Sequence, residues 1–246
     1  MRYLFVLWLL LTPSVAAGQT VHVAVAANFK QTMQKLADIF IAQTQHKVII
    51  SSGSTGKLFA QIINGAPFQF FLAADQKRPT LLVKAGMADK NSQFTYAMGR
   101  LALWAPKAKL QTINQKYLLK KKTLPIALSN PKIAPYGMAA KETMQSTDSW
   151  GLYQNHMAFG ENAGQTLAFV ASGSVDSGFV ALSQLVSLKV DPKQFWIIPP
   201  KYYNPIRQDA VLLNQGNNNP AALALLNFLK TAKTQNLIKG MGYALP

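Results

Sequence analysis

Two rhythms of apolar and polar positions alternate along this chain, and they switch at short intervals. Residues 21–26, VHVAVA, form a nearly unbroken run of small and β-branched side chains, which predicts a strand. From Phe29 the apolar residues recur at helical spacing, as Phe29, Met33, Leu36, Ala37 and Phe40. That spacing predicts a helix over 29–43, entered at Asn28. A second strand is expected over 47–51, then a glycine-bearing turn at 51–57, SSGSTGK, and a helix over 58–64 stopped by Gly65. In the turn, Gly53 and Gly56 are expected to supply backbone freedom, and Ser54 and Thr55 are expected to cap the helix. Residues 68–73 read as a short apolar strand that ends in Ala74-Asp75. Pro79 is expected to open a helix over 80–85, closed by Gly86, and 101–105 reads as the next strand.

The rhythm then repeats. A strand is expected over 124–128, followed by the turn Ser129-Asn130-Pro131 and, after Pro135-Tyr136-Gly137, a helix over 138–145. A further helix over 162–171 and strands over 178–182, 195–198 and 210–213 follow, with Pro199-Pro200 breaking the chain after the second of these strands. Helices over 221–231 and 234–239 close the sequence. Alternating strands and helices predict an α/β fold with parallel, doubly wound sheets, here as two lobes of roughly 100 residues each. Ligands of such sheets sit beyond the carboxyl ends of the strands, at helix N-termini. The turns at 26–29, 51–57 and 129–137 are therefore the candidate binding segments. Each is small, polar or bears Gly or Pro, and each can present free N–H groups to an anion.

Composition narrows the setting. The chain has 246 residues, 49% hydrophobic and only 14% charged, which fits a globular protein with a sizeable core. Arg2 precedes an apolar run at 3–11, Pro13 breaks it, and Ser14, Ala16, Ala17 and Gly18 follow. This predicts a secretory signal peptide over 1–18. The run falls far short of the roughly 20 residues of a spanning helix. With no cysteine, the chain has no disulfide, no thiolate metal site, no cysteine nucleophile and no cysteine to carry a lipid. A secreted protein without a lipid anchor fits the periplasm of a Gram-negative bacterium. The formal charge of +16 suggests an anionic partner. The lysines are scattered, and the run at 120–122 reads as a solvated helix face, so the charge is taken as steering and not as the site.

The candidate chemistry is mostly neutral. Residues 53–58 lack the spacing of a phosphate-binding loop, and Leu58 stands where a metal-binding hydroxyl would be. The nucleophile elbow of hydrolases is also missing. His22, His46 and His156 share no short metal-ligand spacing, and Asp38, Glu142 and Asp191 read as solvated residues. Asp75 reads as a helix cap. What remains is hydroxyls, backbone N–H groups and one well-placed tyrosine, which suits binding better than catalysis.

At 23–29, VAVAANF, and at 52–58, SGSTGKL, the chain resembles the periplasmic molybdate-binding proteins of ABC importers. Gly65-Ala66-Pro67, the segment 73–77, Pro135-Tyr136-Gly137 with Ala140-Lys141-Glu142, and Gly160-Glu161-Asn162 with Gln165-Thr166 follow in the same order, so the resemblance spans nearly the whole chain after the leader. It implies a type II periplasmic-binding-protein fold, with mixed sheets flanked by helices and the ligand in a cleft between lobes. Lobe 1 would be 19–99 with 209–246, lobe 2 would be 100–208, and the crossings near 100–103 and 208–211 would form the hinge. A tetrahedral oxyanion, molybdate or tungstate, would be held by Ala27, Asn28, Ser54, Thr55, Tyr136 and Ala163. Ala27 and Ala163 would act through backbone N–H, Asn28 through its amide or its N–H, and Ser54 and Thr55 through hydroxyl and N–H. The molybdate itself would rest chiefly on Asn28, Thr55, Tyr136 and Ala163. Some relatives bring a further tyrosine where Ala181 stands, so that contact would be lost here and Tyr136 would replace it. The resemblance implies no catalysis and no cofactor. It implies a monomer, not membrane-embedded, with an importer permease as partner and no nucleic acid.

A site built only of donors selects by chemistry. A fully ionised dianion offers only acceptors. Protonated phosphate would turn an O–H toward other donors, and leaving that group unpaired costs about 1–3 kcal/mol. Sulfate carries no proton, so size alone must exclude it. Three competing readings stay open: a binding protein for sulfate, phosphate or an organic acid, a secreted phosphate-ester hydrolase, and a surface or nucleic-acid binder using the basic charge.

Overall fold

Strand β1 (Thr20–Ala26) shows why the apolar runs read as they do. Val23 and Val25 pack on one face with Phe29, Met33 and Phe40, while Ala24 packs on the other with Leu58 and Phe71. A strand covered on both faces needs no polar alternation. The structure, a computed structural model, describes residues 18–108, 113–119 and 125–246. The expected leader over 1–18 (save Gly18), the lysine run at 120–122 and the start of the strand expected at 124–128 lie outside the described residues.

After β1 come α1 (Lys30–Thr44), β2 (Lys47–Gly53), α2 (Thr55–Ile63), β3 (Phe70–Leu72), α3 (Lys77–Lys84) and β4 (Phe94–Gly99). The chain then passes through Arg100 into β5 (Leu101–Trp104), α4 (Gln115–Leu118), β6 (Ile126–Ser129), α5 (Pro135–Ser146), α6 (Trp150–Tyr153), β7 (Met157–Gly160), α7 (Ala163–Ala171), β8 (Ser177–Ala181), α8 (Leu182–Ser187) and β9 (Phe195–Ile197). It returns as β10 (Ile206–Leu212) and ends in α9 (Pro220–Lys230) and α10 (Ala232–Gly240). Two five-stranded sheets result, ordered β2-β1-β3-β10-β4 and β7-β6-β8-β5-β9. Among the described residues, no helix is long and apolar enough to cross a membrane.

The sheets are mixed, as the resemblance implies, and the wholly parallel sheets expected from strand–helix alternation are corrected. β1 runs parallel to β2 and β3, and β6 runs parallel to β7 and β8. β10 runs antiparallel to β3 and β4, and β5 runs antiparallel to β8 and β9. The cause is the route of the chain. β4 and β5 are nearly continuous but belong to different sheets, and β10 re-enters the first sheet from the second, with Ile206 opposite Gly99.

Several boundaries also move. Helix α2 begins at Thr55 and not at 58, and α5 begins at Pro135, its fixed φ suiting the first helical position. Pro79 is the third residue of α3 and does not open it; its missing N–H lies in the first turn, where no intrahelical partner exists. Strands β4 and β7 and helix α8 were absent from the expected set, and β10 starts four residues before the strand expected at 210–213. Gly53 and Gly56 do not supply left-handed turns: β2 runs through Gly53, and Gly56 sits within α2. Gly56 is small for another reason. Its N–H donates to the Ile133 carbonyl at 2.9 Å, and a Cβ there would crowd that residue. Gly65 and Gly86 do end their helices with positive φ, at 84° and 67°.

Candidate functional site

Four strand ends converge. β1 ends at Ala26 and enters a single 3-10 turn, Ala27–Phe29, before α1. β2 ends at Gly53, and Ser54 caps α2, its Oγ accepting from the Lys57 N–H at 3.3 Å. On the facing side β6 ends at Ser129 ahead of α5, and β7 ends at Gly160 ahead of α7. Asn162 caps α7 by accepting from the N–H groups of Gly164 (2.9 Å) and Gln165 (3.1 Å). That cap leaves the first helical residue, Ala163, with an N–H that the helix does not use.

Ala27, Asn28, Ser54, Thr55, Tyr136 and Ala163 all line one small cavity between these ends. No lining residue is charged. The cavity is small, about 10 Å³. Thr55 is anchored there. Its Oγ1 accepts the Ala74 N–H at 3.1 Å, which leaves the hydroxyl hydrogen uncommitted. The buried Tyr136 hydroxyl makes no hydrogen bond of ordinary geometry, although the Asn28 and Gln208 amides lie near enough to act on it. Burial, and then the neighbouring Tyr243 and Tyr203 phenols, push its ionisation well above the ordinary range, outweighing the opposing influence of the Asn28 and Gln208 amides. Tyr136 is therefore a protonated donor at any physiological pH. Ala181 does not line the cavity; its N–H is bonded to Gln184 Oε1 at 3.1 Å.

Behind the lining residues stands a layer that sequence reasoning missed. Gln208 on β10 accepts from Asn28 Nδ2 at 2.7 Å and from the Tyr96 hydroxyl at 3.3 Å. The Tyr243 hydroxyl donates to the Asn28 carbonyl at 2.9 Å, and Ser183 Oγ reaches the same carbonyl at 3.3 Å. Gln184 Nε2 donates to the Ala163 carbonyl at 3.0 Å. The one available signal was polar residues embedded in apolar strands and helices, since a polar side chain goes inside only with a partner.

A wider groove of about 410 Å³ adjoins the cavity, sharing Ala74, Ala134 and Pro135 with it. Lys77, Arg78, Lys132 and Arg207 line it, against Asp75 and Glu142. Asp75 caps the start of α3, as expected, by accepting the Arg78 N–H at 2.9 Å, and it pairs with the Arg78 guanidinium. Lys57, in the first turn of α2, and Glu161, just ahead of α7, form an exposed ion pair at 2.7 Å.

A family model described as bacterial extracellular solute-binding protein matches residues 21–244. The chain belongs to this family. Among these solute-binding proteins, it is 42% identical over 231 residues to the molybdate-binding protein ModA of Azotobacter vinelandii, covering 94% of this chain and 92% of that one. It is 39% identical over 229 residues to ModA of Rhodobacter capsulatus, covering 93% and 89%. Its fold superposes on the solved Azotobacter vinelandii periplasmic molybdate-binding protein with a TM-score of 0.87 and 39% identity, over 92% of this chain and 99% of that one. The two mixed sheets are thus the two lobes of a type II periplasmic-binding-protein fold.

Proposed function

We propose that this solute-binding protein captures molybdate or tungstate in the cavity between its lobes and delivers it to a membrane ABC importer. The observation that carries the reading is the lining. Six residues from four strand ends meet at one cavity with hydroxyls and N–H groups and no charge. Helix N-termini at Thr55 and Ala163 add partial positive charge toward the same point. The relatives' names agree with this chemistry. The roles proposed above for Ala27, Asn28, Ser54, Thr55, Tyr136 and Ala163 follow from it. The neutral lining of hydroxyls and N–H groups supports a reading of binding.

A water needs about 10–15 Å³ of such space, and a tetrahedron of four oxygens needs more, so the walls part on entry. Lobes of 19–99 with 209–246 and of 100–208, moving about the crossings beside Gly99 and Gln208, supply that motion. The closed form would then present a different face to the permease. The leader is removed on export, and the protein works as a periplasmic monomer.

Isothermal calorimetry with molybdate, tungstate, sulfate and phosphate tests the reading. Molybdate and tungstate should bind with similar affinity, being alike in size and charge, and sulfate and phosphate at least a hundredfold more weakly. Sulfate binding as tight as molybdate binding would remove the specificity, and silence with all four would remove the oxyanion.

A further inference from the structure

Two neighbouring residues in the first turn of α2 go against local helix preference. Gly56 is helical without a positive φ, so its backbone has no need of glycine, and alanine would favour the helix by up to about 1 kcal/mol. Lys57 puts a cation near a helix N-terminus, where the dipole favours an anion. What lies opposite, on the side of the second sheet, explains both. The Gly56 N–H donates at 2.9 Å to the carbonyl of Ile133, in the turn between β6 and α5. A Cβ on Gly56 would stand 3.0 Å from that oxygen and 3.1 Å from the Cα and Cβ of Ile133. The Lys57 ammonium meets the carboxylate of Glu161, between β7 and α7, at 2.7 Å. None of these four residues lines the anion cavity.

The first turn of α2 thus divides its N–H groups between two tasks. That of Lys57 goes to the Ser54 cap, and that of Leu58 to the Ser54 carbonyl at 3.0 Å. That of Gly56 reaches across to Ile133, and that of Thr55 is left for the cavity. We propose that Gly56 and the Lys57–Glu161 pair form a clasp that holds the two sheets together over the bound anion. They are positioning residues, and they set how long the anion stays, not which anion enters. The walls must part for the anion to pass, and parting them breaks the Gly56–Ile133 bond and the ion pair together. The backbone bond carries most of the hold, because an exposed ion pair is individually weak; the pair fixes the register of the two sides. Glycine is what permits the approach. With a Cβ at position 56 the two backbones must stand a few tenths of an ångström further apart. The same displacement lengthens the bonds that Tyr136 and Ala163 give an anion from the far side, and hydrogen bonds weaken steeply when stretched or tilted.

The inference rests on the oxyanion reading, and the experiment separates the two. Gly56→Ala keeps the N–H and adds only the Cβ. In stopped-flow measurements it should release molybdate at least about fivefold faster than wild type, as overpacking of a close contact implies, while its association rate stays within about twofold. Its melting temperature without molybdate should stay level or rise, because an open cleft leaves only the helix preference of alanine. Glu161→Lys, which sets two cations against each other, should speed release about two- to fivefold. Lys57→Glu combined with Glu161→Lys should restore the wild-type rate. Release from Gly56→Ala within about twofold of wild type would overturn the inference, and so would an exchanged pair that leaves release fast. A Gly56→Ala protein that melts lower without molybdate, or fails to fold, would assign the glycine to the fold itself and overturn it as well. Each of these results leaves the oxyanion reading intact. Absence of molybdate binding to the wild type would instead sink the reading beneath it.

Discussion

Tyr136 is a side chain whose contribution to folding and whose contribution to binding point in opposite directions. Its hydroxyl is buried and makes no hydrogen bond of ordinary geometry, so it weakens the anion-free protein by part of a lost hydrogen bond, on the order of 1–3 kcal/mol. Toward a dianion the same hydroxyl is a donor to a charged acceptor, a bond worth about 1.5–3 kcal/mol. Tyr136→Phe keeps the ring and removes only the oxygen. Molybdate affinity should fall about 10- to 100-fold, since about 1.4 kcal/mol is a factor of ten. The melting temperature of the anion-free variant should stay level or rise. A variant that binds normally would mean that the hydroxyl never meets the ligand. One that melts lower would mean that it has a structural partner after all. Thr55 differs, because its oxygen is already anchored by the Ala74 N–H and only its hydrogen is spare.

At the scale of elements, the capped turns were legible because capping is local chemistry. Ser54 ahead of α2 and Asn162 ahead of α7 are side-chain caps wherever the fold puts them, and Gly65 and Gly86 stop helices by their own φ. The rhythm of β1, α1 and β2 was legible because each buries a continuous or helically spaced apolar set. β4 and β10 were not fully legible, since both carry polar residues whose partners come from far along the chain. Asp209 on β10 is buried among neutral donors from Thr95 at 2.7 Å, Gln93 at 2.8 Å and Gln76 at 3.2 Å. Gln208 beside it is satisfied on one side by Asn28, 180 residues earlier. Strand direction was illegible for the same reason, being a property of the route and not of any segment. Gly137 shows how tightly one element can fix the site. A Cβ at Gly137 would run into the Ser129 carbonyl at the end of β6, so α5 sits against that strand end only because the side chain is missing. Gly137→Ala should destabilise by about 1–3 kcal/mol through overpacking. That corresponds to a fall of roughly 2–4 °C in melting temperature per kcal/mol for a chain of this size. It should also displace the adjacent Tyr136 and weaken molybdate binding. Unchanged melting would show that α5 can shift freely, and the cavity would then not depend on its seating.

For the molecule as a whole, charge and affinity are separated in space. The chain carries a formal +16, yet the cavity walls hold no charge, and Lys77, Arg78, Lys132 and Arg207 stand in the adjoining groove. Long-range attraction acts on the approach of an anion and is screened over about 8–10 Å at moderate salt. Bonds from N–H and O–H groups in a closed cavity act at contact and are screened little. Such a division predicts a kinetic signature. In stopped-flow measurements from low to high sodium chloride, the association rate of molybdate should fall several-fold while the dissociation rate stays within about twofold. Charge-reducing substitutions in the groove, such as Lys132→Gln with Arg207→Gln, should imitate high salt by lowering the association rate alone. A dissociation rate that climbs steeply with salt would require a lysine or arginine in contact with the bound anion. In that case an uncharged lining could not account for the grip.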